Sequence, residues 1–97
     1  MRTRLLAADQ LLRAGRMAEA AAAYEEVASE LERSGASAKA VAIWRQVLQI
    51  AESATPALAN VEERALERLV HLYGSLSLVV ESSDANRRLL ALRNRRP

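Results

Sequence analysis

The sequence predicts an all-α protein in which antiparallel helical hairpins stack as a short solenoid of about five helices. Three observations lead to this prediction. Apolar residues make up 51% of the 97 residues, yet phenylalanine is absent, so alanine and leucine, both strong helix formers, supply much of the core. Apolar positions recur three and four residues apart, which is the spacing of one helix face. Helix-ending glycines at Gly15 and Gly35 and a helix-starting signal at Thr55-Pro56 then divide the chain.

Gly15 separates the first two predicted helices. Helix 1 is expected to begin near Thr3 and to stop at Ala14-Gly15, where glycine supplies a C-terminal turn. Its apolar stripe consists of Leu5, Ala8, Leu11 and Leu12. Helix 2 is expected over residues 17–33. Acidic residues alternate with apolar ones in its second half, which predicts one solvated face and one buried face.

The next two predicted helices follow polar turn signals. Gly35 ends helix 2, and Ser37 is expected to cap helix 3, which continues to about Glu52. Thr55-Pro56 is expected to open helix 4, because threonine can cap a helix and proline in the first helical position sacrifices no hydrogen bond.

Helix 4 is expected over residues 56–75, with apolar residues on about half of its circumference. A helix with so wide an apolar arc is expected to pack on two sides. Its remaining arc is predicted to be solvated and to bind a partner protein or peptide through Arg64, Arg68, His71 and Ser75. Interspersed arginines favour a solvated, ion-paired surface, rather than a carboxylate site, for the acids Glu62, Glu63 and Glu67.

Helix 5 is expected over residues 78–93. Residues 76–80 have a strand-like composition, but no second strand is predicted to pair with them, which favours a helix. Ser82-Ser83-Asp84 offers a break within this helix or a new N-cap. Residues 94–97 are expected to be a frayed tail of a single domain that spans residues 1–97.

One helical phrase occurs three times. Glu19-Ala20-x-x-x-Tyr24-x-x-Val27 and Lys39-Ala40-x-x-x-Trp44-x-x-Val47 each follow a Gly turn, and a degenerate copy follows Ser77 with Asn86 in the aromatic position. With the preceding helices, this pattern resembles the tetratricopeptide repeat. The resemblance implies a scaffold that binds a partner, often in a groove lined by the first helices of the repeats, or that assembles with copies of itself.

The spacing of the copies departs from that family. The copies start 20 and then 42 residues apart, whereas tetratricopeptide repeats follow one another at about 34 residues. Helix 2 must therefore serve as the second helix of one copy and the first helix of the next. In that arrangement Tyr24 and Trp44 are expected to pack inside the stack, and the alternative is that they anchor a partner.

The residue inventory argues against catalysis. The chain has no cysteine and a single histidine, His71. Thiolate chemistry and paired-histidine metal sites are therefore excluded, and no phosphate-binding or nucleophile motif is present. We expect no enzyme activity, no cofactor and no metal site. No segment predicts a signal peptide or a membrane span, so a cytoplasmic protein without membrane contact is expected.

Charge is distributed unevenly and supports an alternative function. Residues 1–84 carry 9 basic and 12 acidic groups, whereas the remaining residues carry five arginines and no acid. The turn at Gly35 resembles a helix-turn-helix, and the basic tail would then contact nucleic-acid phosphates. An acidic body and few base-reading side chains on helix 3 disfavour this alternative. The predicted anion contacts are Arg87, Arg88, Arg93, Arg95 and Arg96.

The ends of a helical stack expose apolar faces unless they are capped. Self-assembly into a homo-oligomer is therefore a further possibility. Its predicted contact residues are Leu5 and Leu12 on helix 1 and Leu89 and Leu92 on helix 5.

Overall fold

The computed structural model describes residues 2–95. It contains five helices: α1 (Arg2–Arg13), α2 (Met17–Arg33), α3 (Ser37–Ser53), α4 (Ala59–Ser75) and α5 (Val79–Asn94). Each helix packs against the next one along the chain, and the short turns make neighbouring helices antiparallel. No strand occurs among the described residues. The predicted all-α stack of helical hairpins is confirmed.

The helices form a slab two helices thick. The Cα atoms extend over 34 × 33 × 16 Å, and the short dimension suits two layers whose axes are about 8–10 Å apart. Ion pairs join α2 to α4 and α3 to α5. We therefore assign α1, α3 and α5 to one layer, and α2 and α4 to the other.

Three of the four turns have the same backbone geometry. Gly15, Gly35 and Ser77 adopt positive φ angles of 77°, 81° and 60°. In each turn this residue donates its N–H to a carbonyl three residues back, and the next residue donates to a carbonyl five residues back, at 2.8–3.1 Å. This pattern is the Schellman motif. The degenerate third copy of the repeat therefore keeps the turn although it has lost the glycine.

The repeated phrase forms the core. Ala20 and Ala40 are fully buried, and Tyr24 and Trp44 are each only 4% exposed. The core cluster continues through all five helices, from Ala8 to Leu92. The prediction that the two aromatic residues pack inside the stack is confirmed.

Several predicted boundaries require correction. Helix α4 begins at Ala59 rather than Pro56, because residues 54–58 form the irregular turn after α3. Ser37 is the first helical residue of α3; the capping residue is Ala36, and no side chain caps this helix.

The last helix also differs from its prediction. α5 runs without a break through residues 82–84 and includes Asn94, so the frayed tail does not begin there. The tail residues 96 and 97 lie outside the described part of the chain.

Glu62 is buried, contrary to the expectation of a solvated acid. It is 7% exposed, and Thr55 Oγ1 donates a hydrogen bond of 3.4 Å to its Oε1. Glu63 and Glu67 follow the prediction more closely, since both form ion pairs with Arg93 of α5.

Candidate interaction groove

The two arginines of the predicted partner-binding arc contact α2. Arg64 donates to both carboxylate oxygens of Glu25, at 2.9 and 3.2 Å, and this bond raises the pKa of Arg64 above its ordinary value. Arg68 forms an equivalent pair with Glu32. Carboxylates of the same chain thus occupy both guanidinium groups, which removes the reason for choosing them as anchors for an acidic peptide.

The other two residues of that arc remain at the surface. His71 and Ser75 are exposed, and Ser75 Oγ donates to the carbonyl oxygen of His71 at 3.1 Å. The four residues of the predicted arc therefore have two different environments. The two arginines form ion pairs that connect α4 to α2, whereas His71 and Ser75 face solvent.

The predicted oligomer surface is also divided. Leu89 and Leu92 are buried, because they face α4, so the prediction that α5 presents them to a second copy is wrong. Leu5 and Leu12 are half-buried. The large apolar side chains that α5 does expose lie elsewhere, above all Val79 and Val80 at 71% and 77%.

Most arginines of the predicted anion site have carboxylate partners. Arg87 pairs with Asp84 of its own helix, Arg88 with Glu52 of α3, and Arg93 with two acids of α4. Arg95 is exposed, and Arg96 lies outside the described residues. The charges of Arg87, Arg88 and Arg93 are thus largely neutralised by carboxylates of the same chain, so the arrangement adds no support to phosphate binding.

A groove of about 850 Å³ lies between α3 and α5, above α4. Its volume falls within the range of about 300–1,000 Å³ that is typical of ligand-binding clefts. One wall is the α3 stripe of Ala42, Arg45, Gln46, Gln49 and Glu52. The other wall is the α5 stripe of Leu78, Glu81, Asp84, Ala85 and Arg88. Residues at these spacings share one helix face.

The floor of the groove is part of the core. Leu66 and Leu69 of α4 lie beneath it, together with Val41 and Leu48 of α3, and all four are buried. Tyr73 and Leu78 are its more accessible apolar side chains. The groove therefore combines a buried apolar base with polar walls.

One ion pair fixes how the two walls are aligned. Arg88 and Glu52, the last residue of each stripe, bridge the walls. Because α3 and α5 are both antiparallel to α4, they run parallel to each other. Arg45 and Glu81 each lie seven residues before the bridging residues, or about 10 Å back along each helix. They therefore stand at the same level on opposite walls.

The two charges at that level are not paired with each other. Neither Arg45 nor Glu81 forms an ion pair or a side-chain hydrogen bond among the described residues, whereas Glu52 and Arg88 do. The groove is thus bridged at one end and carries two opposite, available charges nearer the other end.

Hydrogen bonds also anchor the two core aromatics. The Tyr24 hydroxyl donates to Asp9 of α1, and Trp44 Nε1 donates to Glu32 of α2 at 2.5 Å. Burial, assisted by the bond to Asp9, raises the pKa of Tyr24 from 10.0 to about 12. Glu32 also pairs with Arg68, so it links three helices. These contacts are structural and lie outside the groove.

The groove does not follow from the sequence pattern alone. The polar stripe on α3 was available as a signal, since positions 42, 45, 46, 49 and 52 share one face. Its partner wall is 36 residues away and depends on tertiary register, for which no local pattern exists.

Neither a metal site nor a membrane helix is found in residues 2–95. No group of three or more metal-ligating side chains comes together there. None of the helices is both long and apolar enough to cross a bilayer. Comparison with protein-family models, with curated proteins and with solved structures finds no match.

Proposed function

We propose that this protein is a non-enzymatic interaction module that binds a short peptide segment of a partner protein in the α3–α5 groove. The observation that carries the proposal is the pair of aligned polar walls above a closed apolar floor. Polar groups in such a cleft orient a ligand, while its apolar surface supplies affinity.

The dimensions of the groove suit a few residues of extended chain. The α3 wall runs from Ala42 to Glu52, which is about 15 Å along a helix. An extended peptide covers that length with about four or five residues. The amides of Gln46 and Gln49 on this wall can donate to and accept from its main chain.

The sequence resemblance supports this class of function but differs in one respect. Tetratricopeptide repeats imply a peptide-binding scaffold whose groove is lined by the first helices of the repeats. Here the walls are α3 and α5, the second helices of the second and third copies. The proposal therefore rests on the groove itself.

A steric block tests the proposal. Peptides selected from a random displayed library against the whole protein should bind in the groove, and Ala42→Trp should weaken them by at least about tenfold, or ~1.4 kcal/mol. Ala42 is exposed on the groove wall, so the added indole fills the groove without entering the core.

Ala22→Trp is the matched control. Ala22 is the exposed equivalent of Ala42 one repeat earlier, on α2 and outside the groove. This variant should keep the affinity for the selected peptides. Equal binding by the Ala42→Trp and wild-type proteins, or a failure to select any groove-binding peptide, would contradict the proposal.

A further inference from the structure

We infer that the groove recognises an extended segment in which an acidic residue is adjacent to a basic residue, with the acid directed to Arg45 and the base to Glu81. This inference rests on the proposed function and specifies the chemistry of its ligand. The evidence is the placement and availability of these two charges.

The groove presents its charges in an ordered way. Counting back from the bridging pair Glu52–Arg88 places Arg45 and Glu81 at the same level on opposite walls. The bridging charges already neutralise each other. Arg45 and Glu81 do not, because the groove separates them, so each keeps its charge available for a ligand.

The geometry of an extended chain matches this arrangement. Successive side chains of an extended peptide point in opposite directions. A residue directed to the α3 wall is therefore followed by one directed to the α5 wall. An Asp or Glu next to a Lys or Arg would place one charge at each wall, where the guanidinium of Arg45 favours a carboxylate.

The remaining wall residues favour one position for this dipeptide. On the closed side lie Gln49 and the small Ala85, three residues before the bridging pair on each wall. On the open side lie Ala42 and Leu78, which provide space and an apolar contact for the next peptide residue. Asp84 also lies on the closed side, but its carboxylate pairs with Arg87 of the same helix. A dipeptide displaced toward either side would therefore find no unpaired cation on the α3 wall for its acidic residue.

A charge-exchange experiment tests the inference. Affinities are measured by calorimetry for a peptide with the acidic–basic pair, its charge-exchanged version and a neutral version, each against the whole protein. We expect Arg45→Glu and Glu81→Arg each to weaken the acidic–basic peptide at least about tenfold. The double variant R45E/E81R should bind the charge-exchanged peptide more tightly than the original peptide.

Glu26→Lys serves as the control for net charge. Glu26 is exposed on α2, away from the groove, and this substitution should leave the preference between the peptides unchanged. Circular dichroism of each variant checks that the helices are retained.

The outcomes separate this inference from the proposed function. Peptides that the Ala42→Trp block excludes, but that bind regardless of their charges, would overturn the inference and leave the groove as the binding site. An unchanged preference in R45E/E81R would also overturn it. If none of the peptides bound in the groove of the wild-type protein, both the inference and the proposed function would be overturned.

Discussion

At the scale of single residues, the repeated phrase predicted the core correctly. A small residue followed by an aromatic four positions later is a packing pattern, and Ala20, Tyr24, Ala40 and Trp44 are all buried. Their hydrogen-bond partners were not predictable. Asp9 and Glu32 lie 15 and 12 residues before the aromatic residues they bind, so the two copies of the phrase use different positions of the preceding helix.

Tyr24 makes stability sensitive to alkaline pH. Its pKa is 10.0 when unperturbed and about 12 in the folded protein. The folded state therefore holds this proton more tightly, and its contribution to stability is complete below pH 10 and lost as pH rises through 12. We expect the free energy of unfolding to fall by roughly 2 kcal/mol between pH 10 and pH 12. Urea denaturation at a series of pH values measures this loss.

Two phenylalanine variants test whether Tyr24 causes the loss of stability at alkaline pH. Tyr24→Phe should lose about 1 kcal/mol at neutral pH, through the missing hydrogen bond to Asp9, and should then lack the alkaline decline. Tyr73→Phe should retain it. A decline of equal size in Tyr24→Phe would show that other groups cause it.

At the scale of helices and turns, Gly15 and Gly35 marked two turns correctly, whereas Gly74 lies within α4 and Ser77 makes the turn that follows. Helix α2 occupies Met17–Arg33 as predicted, because a glycine turn precedes it and another follows it. The start of α4 was predicted three residues too early. The rule that places proline at a helix start is local, whereas residues 54–58 must carry the chain from α3 to α4.

Ser77 offers a test of the turn geometry. At its φ of 60°, a residue with a side chain is about 1–2 kcal/mol less favourable than glycine. Replacement by glycine recovers only part of this energy, because glycine has greater conformational freedom in the unfolded chain. We expect Ser77→Gly to stabilise the protein by about 0.5–1 kcal/mol. The midpoint of urea denaturation reports this change.

Two further variants bracket that result. Ser77→Ala should leave stability close to that of the wild type, since it keeps the Cβ atom. Gly35→Ala should cost about 1 kcal/mol, and only through backbone conformation, because no atom lies within 4 Å of the added Cβ. Destabilisation by Ser77→Gly would mean that the serine side chain matters more than its φ angle.

At the scale of the whole molecule, ion pairs join helices that are not neighbours in sequence. Arg64–Glu25 and Arg68–Glu32 connect α4 to α2, and Arg88–Glu52 connects α5 to α3. The sequence predicted that arginines and acids would share surfaces. It did not predict these pairs, or the groove they accompany, because both depend on how α2 is aligned with α4, and α3 with α5, within each layer.

The pairs between α2 and α4 are expected to stabilise the stack. Replacing both Arg64 and Arg68 with Met leaves two carboxylates that are only 17% and 16% exposed without their cations. We expect a loss of about 1–2 kcal/mol at low ionic strength, and a smaller loss in about 0.5 M salt, where charges are screened. Denaturation of both proteins at the two salt concentrations measures the difference.

Arg87→Met is the control for removing a positive charge. Arg87 pairs only with Asp84 in its own exposed turn, so its loss should change stability by no more than about 0.5 kcal/mol. Equal effects of the Arg64/Arg68 and Arg87 replacements would show that the ion pairs between α2 and α4 contribute no more to stability than an exposed pair within one helix.

The bridge between Glu52 and Arg88 gives the groove a direction. If the groove binds a peptide as proposed, an ion pair across one end prevents the peptide from continuing past that end. A chain terminus, or a loop that turns outward before the ion pair, would then fit better than an internal segment that enters at one end and leaves at the other. Removing one charge of this ion pair, as in Glu52→Gln, would open both ends of the groove. Internal segments of a partner chain could then bind as well as chain ends.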